Sequence, residues 1–338
     1  MIVTVRGEIS SAKEGVILPH EHIISDLRPL VDPLDIPEFY EPLSLSNYGM
    51  VSRNPYAVLD NAVLPSADIQ TEELRRFKKN GGAMIVDVTT GDFGRDPELL
   101  KKISEDSDVD IVMGCGYYID ASVSEENKSK TVNEIADEII KELTVGINGV
   151  RAGVIGEVGS SMETTEFEYK SLEAAAIAQK ETGAGMHIHA SLWNREGLNA
   201  LGFAVKCGAN PEKLCVDHSD VLLDDEYMKS ILNAGAYIDF DDFGKEYYVD
   251  KKYRNLLLGS FASDKERVMK IKELIDAGFV RQIFVTTDIC LKSMTHAYGG
   301  WGYDHIHEHI IPMMQDFGIT DEEIKIITQE NPIRFLNI

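Results

Sequence analysis

Eight short apolar runs, rich in β-branched residues, recur along the chain and restrict its fold more than any other feature. Between them lie stretches such as 68–79 and 132–143, in which apolar residues return at helical spacing and most other positions are charged or polar. The runs therefore predict β-strands that alternate with helices. The predicted strands are 15–20, 83–89, 110–117, 152–157, 185–189, 213–218, 236–240 and 282–288.

Continuous apolar strands that alternate with helices are typical of a parallel sheet covered on its faces. Eight of them predict a closed (β/α)8 TIM barrel of the α/β class. An open doubly wound sheet would carry a glycine-rich phosphate loop after its first strand, whereas this strand ends in His-Glu-His at 20–22. With 43% hydrophobic residues and no linker-like tract, the chain is predicted to form one domain over 1–338. Long loops at about 24–66 and 240–258 would lie at the C-terminal face of the barrel, where barrel proteins build their sites.

Two histidines, His20 and His22, lie at the end of the first predicted strand. Side chains alternate along a strand, so these two imidazoles face the same side. Neighbouring imidazoles at a strand end can bind one divalent cation. A single His-x-His is a weak signal, but polar residues also end several of the other predicted strands, and core packing does not explain that recurrence.

Further candidate ligands occupy the C-terminal ends of later strands, namely Glu157, His189, His218 and Asp288. In a barrel these ends converge on one pocket. Four histidines and two carboxylates exceed the four ligands of a closed zinc site, and they suit two ions that share a bridging carboxylate. Such a centre would lower the pKa of a bridging water toward neutrality. His187 is the alternative to His189 on its strand, but it lies one layer deeper and is predicted to be a hydrogen-bonded interior residue.

A second histidine cluster, His305, His307 and His309, lies in 303–317, where apolar residues recur at helical spacing. On a helix, positions two apart diverge by about 200°. His307 and His309 therefore cannot easily share an ion. The cluster is predicted to consist of surface histidines on a helix.

Charge and composition narrow the classes of partner. The chain has 33 basic and 57 acidic residues, a net charge of −24, which opposes binding to a phosphate backbone. No nucleic-acid partner is expected. No apolar stretch approaches the length of about 18 residues that predicts a membrane span, and the start of the sequence lacks a signal-peptide pattern, so the protein is predicted to be cytoplasmic. The cysteines show no Cys-x-x-Cys spacing and are predicted to be reduced thiols; they are Cys115, Cys207, Cys215 and Cys290.

With these residues in place, the chain resembles the phosphotriesterase family of the amidohydrolase superfamily. The resemblance implies a (β/α)8 barrel with a binuclear metal centre, usually zinc, and hydrolytic chemistry. It covers almost the whole length. The matching motifs are 20–22, 82–97, 114–118, 152–159, His189, 216–220 and 287–288.

The resemblance also implies a role for each candidate ligand. In the family pattern the buried metal takes the two histidines of the first strand and the aspartate of the eighth, here His20, His22 and Asp288. The outer metal takes the histidines of the fifth and sixth strands, here His189 and His218.

The bridging position departs from the namesake enzymes, which use a carboxylated lysine on the fourth strand. Here Gly156-Glu157 carries no lysine, and the chain looks instead like the subgroup that bridges with a glutamate. Glu157 would supply the same two oxygens without carbon dioxide. The departure weakens the expectation of phosphotriester hydrolysis, because subgroups of the family include lactonases and enzymes of unknown substrate.

The segments 245–254 and 292–303 look like those of lactonases that act on phosphorylated sugar lactones. Cations after the seventh and eighth strands of a barrel lie where such folds commonly bind phosphate. The candidate phosphate ligands are Lys245, Arg254, Lys292 and, with less support, Arg28. The alternative is that these are ordinary surface charges paired with the nearby acidic residues Asp241, Asp242 or Glu246.

The leading hypothesis is a metal-dependent lactonase in which activated water attacks the lactone carbonyl. Asp288 would accept the proton and carry it to the leaving alcohol. Tyr118 would either hydrogen-bond the carbonyl or leaving oxygen or form part of the pocket wall. The alternatives on the same centre are a phosphotriesterase and a metal-dependent nuclease, and the alternative of another class is a non-catalytic metal-binding protein. A serine hydrolase is not expected, because no Gly-x-Ser-x-Gly elbow is present. The oligomeric state stays open, with a homodimer as one option.

Overall fold

Residues 1–254 and 258–338 are described by the computed structural model of this chain; 255–257, inside the predicted loop 240–258, lie outside the described residues. Most of the described chain belongs to parallel strands, to the helices that follow them and to the connecting loops. The strands are β1 (Ile2–Thr4), β2 (Gly7–Ile9), β3 (Val16–Glu21), β4 (Gly82–Asp87), β5 (Asp110–Met113), β6 (Ile155–Gly159), β7 (Met186–His189), β8 (Leu214–Val216), β9 (Tyr237–Phe240) and β10 (Ile283–Val285).

Strands β3 to β10 form a closed parallel barrel, and this confirms the predicted (β/α)8 fold. β3, β4 and β5 pair in that order, and β6 to β10 pair in sequence order. β5 joins β6 because Gly153 N donates to Met113 O at 2.9 Å and Gly156 N donates to Cys115 O at 2.8 Å. At the other seam, the Thr286 hydroxyl oxygen lies 2.9 Å from the His20 carbonyl oxygen.

Helices cover the outside of the barrel. Thr131 and Glu134 form a capping box at the start of the fifth helix, and Gly183 ends the sixth with φ 74°, a left-handed conformation that glycine adopts without steric cost. The α-helices are α1 (Tyr48–Val51), α2 (Ala67–Lys79), α3 (Pro97–Ser107), α4 (Glu125–Lys128), α5 (Val132–Thr144), α6 (Glu166–Thr182), α7 (Glu196–Lys206), α8 (Asp225–Asn233), α9 (Asp264–Asp276), α10 (Ile311–Asp316), α11 (Asp321–Lys325) and α12 (Asn331–Leu336). π-Helical turns at Ile306–Ile310 and Ile326–Glu330 run directly into α10 and α12.

The predicted elements are present, and their ends differ by a few residues. The predicted helices 68–79 and 132–143 correspond to α2 and α5. The predicted strand 282–288 is observed as Ile283–Val285, and Asp288, three residues beyond its end, has a left-handed φ of 43°. The antiparallel β1–β2 hairpin was not predicted, since its two strands are too short to give an alternating pattern.

An apolar cluster fills the interior of the barrel. Several strands contribute to it, for example through Ile17, Met84 and Val112. Leu18, next to Ile17, packs instead against the outer helices. The register of β3 against β4 shifts between Leu18 and Glu21, and this irregularity lets His20 face the interior like Ile17. All four cysteines are free thiols, as predicted. None of the helices in the described part of the chain combines the length and apolarity needed to cross a membrane.

Candidate metal centre

Glu157, on β6, lies between two sets of histidines at the C-terminal end of the barrel. Its Oε1 is 2.6 Å from His189 Nδ1 and 3.1 Å from His218 Nε2. Its Oε2 is 3.6 Å from His22 Nε2. Burial alone would raise the pKa of Glu157, but His189 and His218 lower it well below its ordinary value. The carboxylate is therefore ionised, and it lies between the two sets, with Oε1 also 3.8 Å from His20 Nε2.

His20, His22 and Asp288 form the first set of donors. Asp288 Oδ1 is 3.1 Å from His22 Nε2 and 3.8 Å from His20 Nε2. His20 Nε2 and Asp288 Oδ1 are buried, and neither has a hydrogen-bond partner among the described residues. Two ligands at about 2.0–2.1 Å from a tetrahedral ion lie roughly 3.3 Å apart. These donors therefore fit a divalent cation, which would satisfy both orphaned atoms.

His189 and His218, with Glu157, form the second set. His189 Nδ1 and His218 Nε2 are only 2.9 Å apart, and the ligand atoms of all three residues lie within 4.8 Å of one another. Nitrogen and carboxylate donors at this spacing also fit a divalent cation. Each of the six predicted ligands thus belongs to one of the two sets.

Hydrogen bonds behind the histidines aim their inner nitrogens at the centre. His22 Nδ1 lies 2.8 Å from the Thr89 hydroxyl, and His218 Nδ1 lies 3.1 Å from Asp241 Oδ1. Asp241 also accepts from the His218 backbone N–H at 2.8 Å, which supports the left-handed φ of 53° at His218. Such supporting bonds fix the ring orientation of metal ligands. They were not predicted, because they join strands far apart in sequence.

Glu21, the middle residue of His-Glu-His, has a supporting role that the sequence did not reveal. Its buried carboxylate accepts from Thr287 N at 2.8 Å, Ile289 N at 2.6 Å and the Thr286 hydroxyl at 2.6 Å. These bonds hold the chain on both sides of Asp288. Because Glu21 alternates with the two histidines along β3, its side chain points away from the donors and toward the end of β10. It therefore positions Asp288 and does not join either set.

His187 lies in the barrel interior, as predicted. Its Nδ1 is 2.8 Å from Asp217 Oδ1, and it is fully buried. His20 Nδ1 faces the same acidic group, 3.6 Å from Asp217 Oδ2 and 3.6 Å from Asp239 Oδ2. His189, rather than His187, is the histidine of β7 that adjoins Glu157. The choice of His189 as ligand stays a prediction.

Tyr118 stands over the second set of donors. Its hydroxyl is 3.3 Å from His189 Nε2, and the two rings meet edge to face at 4.6 Å. Burial raises the pKa of Tyr118 well above its ordinary value, so the hydroxyl keeps its proton. In this arrangement the hydroxyl bonds to His189 and the ring forms part of the cavity wall.

Lys245 is buried next to the first set. Its ammonium contacts Asp288 Oδ2 and lies 3.0 Å from Asp242 Oδ1. Burial opposes the charge, but Asp242 and Asp288 raise the pKa of Lys245 well above its ordinary value. Lys245 in turn helps to hold the pKa of Asp288 far below its usual range, against the effect of burial. The pairing with Asp242 is one of the alternatives that the sequence left open.

The other three predicted phosphate ligands, here called the rim cations, do not join Lys245 in the lining of the cavity above the donors. Arg28 pairs with Asp26 at 2.6 Å on the surface, and Lys292 donates to Asp60 at 2.5 Å. Arg254 is exposed and donates from Nε to a backbone carbonyl at 3.1 Å. None of the rim cations belongs to the described lining of the cavity above the donors. The rim cations therefore lie apart from Lys245, and each of them binds a different group.

The histidine cluster of the last part of the chain requires one correction. The segment is helical, as predicted, and His307 and His309 are exposed. His305 is not a surface residue: it is buried, and its Nε2 is 2.8 Å from Asp264 Oδ2. Asp264 is the first residue of α9, which packs against the histidine-bearing helix. The sequence pattern of the histidine-bearing helix could not show which element packs against it.

An open cavity of about 560 Å³ lies above the donors and is called the reaction cavity below. Lys245 is the one lysine or arginine in its described lining. Most of the remaining wall is apolar or aromatic, and includes Leu27, Tyr56, Phe93, Leu192, Phe261 and Leu291. A barrel with clustered cation ligands below such a cavity is the arrangement of a metal-dependent hydrolase.

The comparisons with known proteins agree with this class. The chain matches the Phosphotriesterase family over residues 1–336 and belongs to that family. N-acetyltaurine hydrolase from Dictyostelium discoideum is 37% identical over 301 residues, which cover 88% of this chain and 80% of the relative. The solved structure of a resiniferatoxin-binding protein from Rhodobacter sphaeroides is 31% identical, with a TM-score of 0.94 and coverage of 99% and 94%. A mutant PTE-like lactonase from Deinococcus radiodurans is 26% identical, with a TM-score of 0.77 and full coverage, 100% of each chain.

The protein is therefore a metal-dependent hydrolase of the phosphotriesterase family. Its relatives differ in what they act on. The N-acetyltaurine hydrolase is named for an amide substrate, and the Deinococcus protein is named as a lactonase. Amide and lactone hydrolysis both take place at a carbonyl carbon.

Proposed function

We propose that the protein hydrolyses the amide bond of a small N-acyl compound with an anionic amine part, of the class to which N-acetyltaurine belongs. The observation that carries this is the Glu157 carboxylate, which lies within 4 Å of histidines of both donor sets, beneath a cavity with a single lysine in its described lining. The similarity to N-acetyltaurine hydrolase supports an amide substrate.

Two divalent ions, zinc in our proposal, would be held by six ligands, namely His20, His22, Glu157, His189, His218 and Asp288. When bound, such ions lower the pKa of a water between them and polarise a substrate carbonyl. The support is the fit of the donors: a buried carboxylate shared by two sets, and two buried atoms, His20 Nε2 and Asp288 Oδ1, that lack hydrogen-bond partners in the described parts of the chain.

Asp288 is proposed to move the proton. Its Oδ1 faces the donors, whereas its Oδ2 contacts Lys245. In the proposal this carboxylate, beside the donors, accepts a proton from the attacking water. It then delivers the proton to the leaving amine. Tyr118 keeps His189 in place, and its ring covers one side of the reacting group.

The reaction cavity suits a compact substrate. An acetyl group can lie against the aromatic part of the cavity wall that Tyr247 and Phe261 form. Lys245 is the charge in the lining that can attract an anionic group, although Asp242 and Asp288 balance much of it. A substrate with one anionic group is thus favoured over a phosphotriester, whose three ester arms carry none.

A phosphorylated sugar lactone is the second candidate substrate. Lys245 in the cavity lining and the lactonase among the structural relatives favour it. The rim cations weaken it, because Arg28, Arg254 and Lys292 would have to leave their present partners to reach a phosphate. The cytoplasmic location and the oligomeric state stay predictions.

Substrate profiling of the purified, metal-loaded protein tests the proposal. We expect N-acetyltaurine to be hydrolysed with a kcat/KM at least about tenfold higher than a phosphorylated sugar lactone, a neutral lactone or a phosphotriester. Release of taurine is the measurement, and Glu157→Gln is the inactive control. A higher kcat/KM for the phosphorylated lactone than for every amide tested would replace the proposal with the second candidate.

A further inference from the structure

A second cavity lies directly behind the reaction cavity. It has a volume of about 620 Å³, similar to the 560 Å³ of the reaction cavity, and it is called the rear cavity below. Tyr247 lines both cavities, and no other residue in the described linings is shared.

The wall between the two cavities is one layer of chain thick. In the first wall segment, Lys245 lines the reaction cavity while its neighbours Gly244 and Glu246 line the rear cavity. In the second, Asp288 lines the reaction cavity while Thr287 and Ile289 line the rear one. Successive residues thus face opposite cavities, and only the side chain at the junction reaches both.

Tyr247 is held firmly at that junction. It is buried, its ring meets the Phe261 ring edge to face at 5.5 Å, and its carbonyl accepts from Phe261 N at 3.0 Å. Phe261 is itself part of the wall of the reaction cavity. Tyr247 is therefore a fixed part of the wall that both cavities share.

The rear cavity has a mixed lining, in which aromatic and apolar residues lie beside serine, threonine and tyrosine. Its lining includes Phe243, Met294 and Trp301, and no lysine or arginine occurs in the lining as far as the structure describes it. Glu246 is the one charged residue there, and it already accepts from a backbone N–H at 2.9 Å. Without a cation, such a surface disfavours an anion, and its aromatic residues can contact a neutral alkyl or aromatic group.

We propose that Tyr247 is a specificity-determining residue that limits the acyl group of the substrate to the reaction cavity. The rear cavity is the space that a longer acyl chain would enter if the ring were absent. This inference rests on the proposed function, because it concerns the acyl part of an amide that is cleaved at the same centre.

The kinetic test compares N-acetyltaurine with N-octanoyltaurine. In Tyr247→Ala the ratio of kcat/KM for the octanoyl over the acetyl substrate should rise at least about tenfold above that of the wild-type protein, since buried methylenes add binding energy. Tyr247→Val should show the same direction, and it replaces the alanine variant if circular dichroism shows that variant unfolded. Tyr247→Phe, which keeps the ring, is the matched control and should keep the wild-type ratio. A ratio that stays at the wild-type value in a folded alanine or valine variant overturns the proposal.

A binding test separates this inference from the proposed function. Trp301 lines the rear cavity, and Trp193→Phe removes the only other tryptophan of the chain, so that fluorescence reports on Trp301. Titration with the neutral probe N-octylacetamide should change this fluorescence saturably, at least about tenfold more tightly when Tyr247→Ala is added to the Trp193→Phe protein. Equal affinity with and without Tyr247 overturns the proposal. If the wild-type protein cleaves neither taurine amide, the proposed function fails and the fluorescence result alone decides the role of Tyr247.

Discussion

The donors below the reaction cavity and the rim cations above it were both assigned from the sequence, and the structure treats them differently. The six donors converge from β3, β6, β7, β8 and the end of β10 within a few ångströms of Glu157 or Asp288. The three rim cations each pair with a different group outside the cavity lining. Position at a strand end is set by the barrel, whereas position in a long loop depends on the partners that the loop finds.

Charge explains where the rim cations go. In a chain of net charge −24, a lysine or arginine in a loop has many carboxylates within reach. Lys292 lies beside Asp60 and Arg28 beside Asp26, and Asp60 and Asp26 both belong to the long loop after β3. The Lys292–Asp60 pair joins the loop after β10 to the loop after β3, whereas Arg28 pairs within its own loop. Both cations therefore stabilise loops and do not face the cavity.

The largest effect is expected from Glu157→Gln. The amide keeps the size of the side chain but loses the charge that faces both donor sets, and activity should fall on the order of 10³-fold. Metal analysis should find close to two equivalents in the wild-type protein and fewer in the variant. A variant that keeps two equivalents and wild-type activity would contradict the bridging role.

Asp288→Asn should lower activity by at least about 10²-fold while the fold survives, because it removes both a donor and the proposed proton acceptor. Turnover of N-acetyltaurine is the measurement, with circular dichroism as the check on folding. Near wild-type turnover would show that Asp288 has no part in proton transfer.

Glu21→Gln tests support from outside the donor sets. The amide cannot accept all the hydrogen bonds that reach both carboxylate oxygens from Thr286, Thr287 and Ile289. Loss of such support typically weakens metal binding by about tenfold or more. Competition with a chelator measures this, and an unchanged metal affinity would refute the positioning role.

Lys245→Met and Arg254→Met compare the buried cation with one of the rim cations. Lys245→Met should reduce kcat/KM for N-acetyltaurine by about tenfold, since a charge-assisted bond contributes roughly 1.5–3 kcal/mol. It should also lower the free energy of unfolding, because Asp242 and Asp288 lose their buried partner. Arg254→Met should leave both quantities nearly unchanged. If Arg254→Met reduced the rate on a phosphorylated lactone alone, the rim cations would form a phosphate site after all.

The sequence determined the barrel and the convergence of the donors, because periodic apolar runs and polar residues at their ends are local patterns. His20 and His22 could be assigned to one face from their spacing alone. Even so, the register shift between Leu18 and Glu21 that turns them inward depends on pairing with β4 and was not visible in the sequence.

Only the tertiary structure decided which partner each polar side chain outside the donor sets would find. His305 could not be recognised as buried, because Asp264 lies on another helix. Glu21 could not be recognised as the support of Asp288, because the two are far apart in the sequence and meet only when the barrel closes. Local spacing fixes the direction of a side chain relative to its own strand or helix, but the group that it meets is fixed by packing between distant elements. For the same reason Tyr247 acquires its place between two cavities only in the folded chain.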